Sequence, residues 1–375
     1  MKNIYVDRRI VMTLDAGGTN FVFSALQSGK EIIEPITLAS HSDDLDTCLK
    51  TIIDGFNQVK ENLDGNQPDA ISFAFPGPAD YKNGIIGDLV NLPAFRGGVA
   101  LGPMLEEIFE IPTLINNDGD LFAYGEAVAG MLPFINESLA DAGLSRTYKN
   151  LIGITLGTGF GGGIVVNNQI CQGDNSAAGE IWLTRNFIKP KTVVEESVSI
   201  RAIQRVYAEQ SGEEEAISPR EIFKIANGEQ EGNKQAAINA FEEMAVAAAE
   251  SLANALALVD GPIVIGGGIA GASRFILPKI IAHLSGCIYN LEDQGMPRAI
   301  SKVFNIDDEE QLKAFLADSE FEVEVPFSTK KVVYTKEKRI AIGVSKLGTS
   351  TAVCLGAYAL ALDYLEKRNL YKESV

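Results

Sequence analysis

Short apolar runs closed by Gly, Asn or Asp alternate along this chain with longer stretches whose apolar positions step by three and four. The first pattern predicts strands at Ile10–Leu14, Phe21–Leu26, Ala70–Phe75, Thr113–Ile115, Leu151–Thr155, Gly163–Val166 and Pro262–Ile265. The second is clearest between Ala236 and Val259, where Ile238, Phe241, Ala245, Ala248, Leu252, Ala255 and Val259 make one continuous stripe of a helix. Gly261-Pro262 ends that helix and opens a strand. Strands interleaved with helices predict an α/β architecture. Residues 131–150 and the charged stretch 292–339 read as folded insertions.

One design occurs twice. "IVMTLDAGGTNFVFSAL" (10–26) is an apolar strand, a glycine break and a second apolar strand, and "LIGITLGTGFGGGIVVN" (151–167) repeats it about 140 residues later. Two such turns predict two related domains whose hairpin tips face one another across a cleft, able to grip a triphosphate from both sides. Backbone N–H groups meet polyphosphate where no side chain stands in the way, which favours glycine at such tips. Thr19 and Thr158 add hydroxyl donors. Asp15 stands just before its turn, where a carboxylate repels phosphate unless a divalent cation or its waters lie between, so Mg²⁺ is expected there, held through water or ATP. Asp-Ala-Gly-Gly is equally a good hairpin turn, and both readings stay open.

Gly157, Gly159 and Gly162 formally spell G-x-G-x-x-G, but a strand follows them where a dinucleotide fingerprint needs a helix. "IVIGGGIAGASRFILPKII" runs from strand through Gly266, Gly267 and Gly268 into a helix, and is read as an adenine or ribose shelf. In "IPTLINNDGDLFAYGEAVAG" (111–130) a short strand meets a helix at Asn116-Asn117-Asp118. Asp118 there suits a general base for a substrate hydroxyl, or an N-cap, and the two roles can coexist.

Composition narrows the field. With 375 residues and 46% hydrophobic content the chain can bury more than one core. Its 32 Lys and Arg against 50 Asp and Glu give a net charge of −18, which opposes binding to nucleic acid or anionic membranes. The start of the chain has no signal-peptide core, and no segment approaches the roughly 18 apolar residues of a spanning helix, so a cytoplasmic location is expected. Cys48, Cys171, Cys287 and Cys354 show no metal or redox spacing and read as reduced structural thiols.

These segments together resemble the ROK family of bacterial sugar kinases and sugar-responsive repressors, and are most similar to its glucokinase branch. "LDAGGTNF" resembles the first phosphate loop, "FPGPAD" and "NLPAF" the sugar-side loops, and "INNDGDLFAYGE" the segment of the catalytic Asp. "LGTGFGGGIVVNNQICQGDNSAAGE" follows the family signature, "IVIGGGIAG" the adenosine-side loop, and "KLGTSTAVCLGAYALA" the closing helix. The resemblance implies a two-domain, actin-like sugar kinase (ribonuclease H-like) α/β fold with an interdomain cleft. Residues 1–117 with helix 357–375 would form the small domain, and 118–356 the large one.

It further implies ATP-dependent phosphorylation of a hexose, glucose or a related aldohexose or N-acetylhexosamine, at the 6-hydroxyl, with Asp118 as general base. Gly77, Asn91, Asn117, Asp118, Glu180 and Glu195 would hold the sugar, with Glu196 the rival of Glu195. Asp15, Gly17, Gly18, Thr19, Asn20, Gly157, Thr158, Gly159 and Gly266–Gly268 would hold ATP and Mg²⁺. A homodimer is implied by the same resemblance.

One departure stands out. Where the family reads Gly-Glu-x-Gly-His followed by three zinc-binding cysteines, this chain reads "GEIWLTRNFIKPKTVVEE". Trp182 and Leu183 replace Gly and His, and no Cys lies between Cys171 and Cys287, so no zinc site is expected. Trp182 could stack on an apolar sugar face or fill the vacated space. Nine residues precede Ile10, with no helix-turn-helix of the kind the family's repressors carry, which points to the kinase branch. A sugar sensor of the same family that has lost catalysis is the alternative.

Overall fold

The computed structural model describes residues 3–77, 79–87, 93–213, 217–317 and 320–373. Its strands begin with β1 (Val11–Ala16), β2 (Asn20–Gln27), β3 (Lys30–Glu31), β4 (Ile36–Ala39), β5 (Ala70–Ala74), the short pair β6 (Ala79–Asp80) and β7 (Ile85–Ile86), and β8 (Thr113–Asn116). They continue with β9 (Leu151–Leu156), β10 (Phe160–Val166), β11 (Gln169–Ile170), β12 (Ile263–Gly266), β13 (Cys287–Tyr289), β14 (Gly295–Pro297), β15 (Lys302–Asn305), β16 (Glu320–Glu324), β17 (Lys331–Thr335) and β18 (Arg339–Val344). The first helices are α1 (Leu45–Glu61), α2 (Leu101–Phe109), α3 (Asp118–Ala129), α4 (Met131–Asp141) and α5 (Ile200–Ser211). After these come α6 (Pro219–Asn227), α7 (Lys234–Val259), α8 (Ser273–Leu284), α9 (Glu309–Leu316) and α10 (Thr349–Glu373).

The chain forms two compact units. One comprises Met1–Gly130, Gly163–Gly179 and Leu347–Val375, the other Met131–Gly162 and Glu180–Lys346. The first unit therefore takes α3 along with the sheet that precedes it, rather than ending before Asp118. Its cause is close packing of α3 on α10: a Cβ at Gly125 would lie 1.8 Å from the Ala352 carbonyl oxygen, and one at Gly356 2.0 Å from that of Leu121. Only glycine lets two helix backbones approach so closely.

The sheet of the first unit has the order β3-β2-β1-β5-β8, with β4 added to β2. The β1–β2 pair is antiparallel, while β1, β5 and β8 run parallel. Their register sets Asp15 beside Ala74 and Ala74 beside Asn116, at the carboxyl ends of three neighbouring strands. At about 4.8 Å per strand, Asp15 and Asn116 sit about 10 Å apart. Asp44 caps α1 by accepting from the Thr47 amide, and Cys48, Ile52, Phe56 and Val59 bury one face of that helix on the sheet. A chain of aromatic contacts, Phe23 to Phe56 to Phe73 to Phe75, makes the centre of this core.

In the second unit the order is β10-β9-β12-β18-β15. Strands β9, β12, β18 and β15 are parallel, with Thr155 level with Gly266. The end of β10 passes into the first unit's share of the chain, where Val165 and Val166 pair with Ile170 and Gln169. Helix α7 packs against α5, α6 and α8. Its buried face is wider than the stripe expected from the sequence: Phe241, Ala245, Ala248 and Leu252 are buried, and so are Ala237, Ala240, Met244, Ala247 and Ala249. Alanine lets neighbouring helices close around several sides. Residues 292–339 are not wholly an insertion either, since β15 is a strand of the main sheet and reaches β18 through α9 and the β16–β17 hairpin.

Candidate functional site

The first turn lies between β1 and β2 and is held from below. The Gly18 carbonyl oxygen accepts from the hydroxyls of Ser40 (2.7 Å) and Ser42 (3.1 Å), and the Ser40 amide donates to the Thr19 carbonyl (2.9 Å). Around Gly18 nothing lies within 4 Å of where a Cβ would stand, so the outer side of the turn is open to a ligand. Asp15, Gly17, Thr19 and Asn20 are all exposed. The two serines were not foreseen; their spacing marks no pattern until β4 brings them under the turn.

Asp118 enters from the other side of the same sheet end. The strand β8 stops at Asn116, and Asn117 caps α3, its Oδ1 accepting from the Gly119 amide at 2.7 Å. The cap is thus Asn117, not Asp118, because the helix begins at Asp118, one residue earlier than a cap at Asp118 requires. Asp118 is left in the first helical turn, where it also accepts from the Gly119 amide (2.9 Å). Gly163 packs against the same helix start: a Cβ there would lie 2.2 Å from the Gly119 carbonyl oxygen. Gly77 adjoins Asn117 and the Tyr81 hydroxyl, which donates to the Phe75 carbonyl. Asn91 lies outside the described residues.

A cavity of about 650 Å³ in the first unit is lined by both Asp15 and Asp118, with Thr13, Ser24, Pro76 and the first turns of α10. Asp118 keeps exposed surface at its rim but is surrounded by protein on most sides. Lost hydration raises its carboxyl above the usual carboxylate range, the Gly119 amide offsets part of this, and the charge of Asp15 adds to the rise. Burial likewise pushes the Cys354 thiol, in the cavity wall, up to about 11, which keeps it protonated at neutral pH. All four cysteines are free thiols.

The second unit brings three other predicted elements together. In the turn between β9 and β10 the Gly157 amide donates to the Gly159 carbonyl (3.1 Å), and the Gly157 carbonyl accepts from the Ile200 amide (2.9 Å). Gly267 has φ +88°, and a Cβ there would lie 2.2 Å from the Leu156 carbonyl oxygen, so the 266–268 loop rests directly on the end of β9. The loop continues through a 3₁₀ turn at Gly268–Ala272 into α8.

Glu195 completes the group. Its Oε2 accepts from the Phe160 amide at 3.0 Å, and a Cβ at Gly159 would lie 2.4 Å from that oxygen. Glu196 stays away, its side chain 45% exposed and within 3.6 Å of the Arg201 guanidinium. The family resemblance favours Glu195, with Glu196 the rival, and in the structure it is Glu195 that lies at the turn. Their loop is stapled by Asn186, fully buried, whose amide nitrogen donates to Ser197 Oγ (2.9 Å) and whose Oδ1 accepts from the amides of Ile188 and Lys189 (3.0 Å each). Glu180 accepts from the indole N–H of Trp182, while the Trp182 ring packs against the core.

Comparisons with known proteins bear on the family and the fold. The ROK family model matches residues 11–294. The chain is 31% identical to the N-acetyl-D-glucosamine kinase of Photobacterium profundum over 72% of this chain and 88% of that one. It is 28% identical to the glucokinase of Halalkalibacterium halodurans over 72% and 83% respectively. Among solved structures, a glucokinase from Parabacteroides distasonis superposes with a TM-score of 0.89 at 52% identity, covering 96% of this chain and 99% of that chain. Two glycine turns closed on matching sheets, an Asp at the head of α3 and this match over most of the sequence have one reading: the chain has the two-domain actin-like fold of these sugar kinases and belongs to the ROK family.

Proposed function

We propose that this chain is an ATP-dependent hexose kinase, transferring phosphate to the 6-hydroxyl of glucose or of a related aldohexose or N-acetylhexosamine. Asp118 carries the reading: it heads α3, shares a cavity with Asp15, and has a carboxyl raised toward the range in which a general base works. It accepts the 6-hydroxyl proton as that oxygen bonds to the γ-phosphorus. The bond from phosphorus to the β,γ-bridging oxygen breaks, and ADP leaves with the electron pair. Positioning and charge neutralisation supply most of the rate in such transfers.

Gly77, Asn91, Asn117, Glu180 and Glu195 hold the sugar in this reading, and Gly17–Asn20, Gly157–Gly159 and Gly266–Gly268 hold the nucleotide. The residues fit a divalent cation at Asp15: the carboxylate is exposed on the cavity, and its charge already disfavours ionisation of Asp118. A divalent cation bound at Asp15 would supply neutralisation of charge on the transferring group. A cytoplasmic location and, on the family resemblance, a homodimer, which light scattering tests, complete this reading. The names of the relatives, glucokinase and N-acetyl-D-glucosamine kinase, support both candidate sugars.

The test is an ADP-release assay with ATP and Mg²⁺ against glucose, N-acetylglucosamine, N-acetylmannosamine, mannose, fructose and allose. Turnover on at least one sugar, lost in Asp118→Asn, is expected. Sugar binding by thermal shift with no turnover on any of them would instead identify a sensor.

A further inference from the structure

Trp182 is the only tryptophan in the chain. It lies in a 3₁₀ turn, Ile181–Leu183, directly after Glu180. The turn is fixed at its far end by Thr184, whose hydroxyl meets Ser251 Oγ of α7 at 2.7 Å and donates to the Ile181 carbonyl at 2.7 Å. The Leu183 amide closes the near end on the Glu180 carbonyl at 3.1 Å. With the backbone pinned and the ring packed against the core, the indole cannot rotate away. Indole has a single polar atom, a donor, and Glu180 Oε2 accepts from it. A carboxylate on a long, partly exposed side chain samples several rotamers; one whose oxygen is held by a fixed N–H samples fewer.

We infer that Trp182 is a positioning residue for sugar binding, fixing the Glu180 carboxylate through its indole N–H so that one oxygen, Oε1, is left to accept from a sugar hydroxyl. This rests on the reading of Glu180 as a sugar ligand. It commits Trp182 to the carboxylate rather than to stacking on the sugar ring. The aromatic ring supplies rigidity and the nitrogen supplies direction, so the two contributions separate by substitution. A charge-assisted hydrogen bond of this kind is among the stronger ones in proteins.

Because no other tryptophan contributes, its fluorescence emission reports the surroundings of this one indole. Glu180→Ala, which removes the acceptor, should shift the emission of the protein without any ligand, and saturating glucose or N-acetylglucosamine, whichever the ADP-release panel identifies, should shift that of the wild type. Trp182→Phe, which keeps a ring and loses the donor, should raise the sugar KM about tenfold while kcat and the ATP KM stay within about twofold. Trp182→Leu, which loses both, should add a fall in melting temperature. An unchanged sugar KM in Trp182→Phe, identical emission in wild type and Glu180→Ala, or sugar and ATP KM values moving together would each overturn the proposal. If no sugar is turned over, the kinase reading fails, while the emission of Glu180→Ala against wild type still decides the bond.

Discussion

The acids of the two units are kept differently. In the first unit, Asp15 and Asp118 share one cavity, and although Asp118 accepts from the Gly119 amide, lost hydration together with the neighbouring charge raises its carboxyl. In the second, Glu195 and Glu180 each receive an N–H, from the Phe160 amide and the Trp182 indole. A group that takes up a proton is served by an environment that makes its charge costly; a group that only holds a hydroxyl is served by a donor that fixes it. The difference matches the roles proposed for these acids, Asp118 in chemistry and Glu180 and Glu195 in recognition.

The largest expected effect breaks the first half of that comparison. Asp118→Asn should lower kcat by about a thousandfold, as loss of a general base does. It should not unfold the protein. A raised folded pKa means the folded state binds the proton more tightly than the unfolded chain, so the stability it contributes is full at low pH and lost as pH rises through the raised value. The Asn variant, free of that loss, should melt at or above the wild-type temperature at pH 7. Near-normal turnover would remove Asp118 from its role.

Asp15→Asn should cost about a hundredfold in kcat at saturating Mg²⁺ and weaken the dependence on Mg²⁺. It should also move the acid limb of the pH–rate profile to lower pH, because the charge of Asp15 is one of the causes raising Asp118. An acid limb that stays in place would show that the two carboxylates do not sense one another.

The second half is sharpened by Gly159→Ala, in which a Cβ would stand 2.4 Å from Glu195 Oε2 and must displace it. The sugar KM should rise about tenfold, and Glu195→Gln should match it. Glu196→Gln should leave both KM values within about twofold, since its carboxylate meets only the exposed Arg201. Equal effects from the two glutamates would reopen the choice between them. The smallest effect belongs to Ser40→Ala, which takes one of two hydroxyls from the Gly18 carbonyl and should cost about 1 kcal/mol of stability by chemical denaturation, with the ATP KM raised about twofold to threefold.

Much of this was legible in the sequence where it depends on local pattern. Apolar runs bounded by glycine gave the strands on either side of both turns, because burial on two faces leaves an uninterrupted apolar signature. "KVFN" at 302–305 is too short to carry such a signature, so β15 passed for part of an insertion. The helix start at Asn117-Asp118 was readable to within one residue, the limit of a pattern in which Asn and Asp both suit the cap. Contacts between distant segments were not readable. Nothing in "VVEES" says that the first glutamate reaches an amide 35 residues upstream, and nothing in "GEIWL" says that the indole turns back to the acid.

The glycine crossing of α3 and α10 has a consequence in time. Asp118 sits on α3, whose packing partner α10 follows the whole of the second unit in the sequence. The second unit, interrupted only by residues 163–179 of the first, therefore precedes α10 and can fold while the first still lacks a helix of its core. The first unit, with Asp15 and Asp118, is completed only when α10 packs on α3, so it closes last.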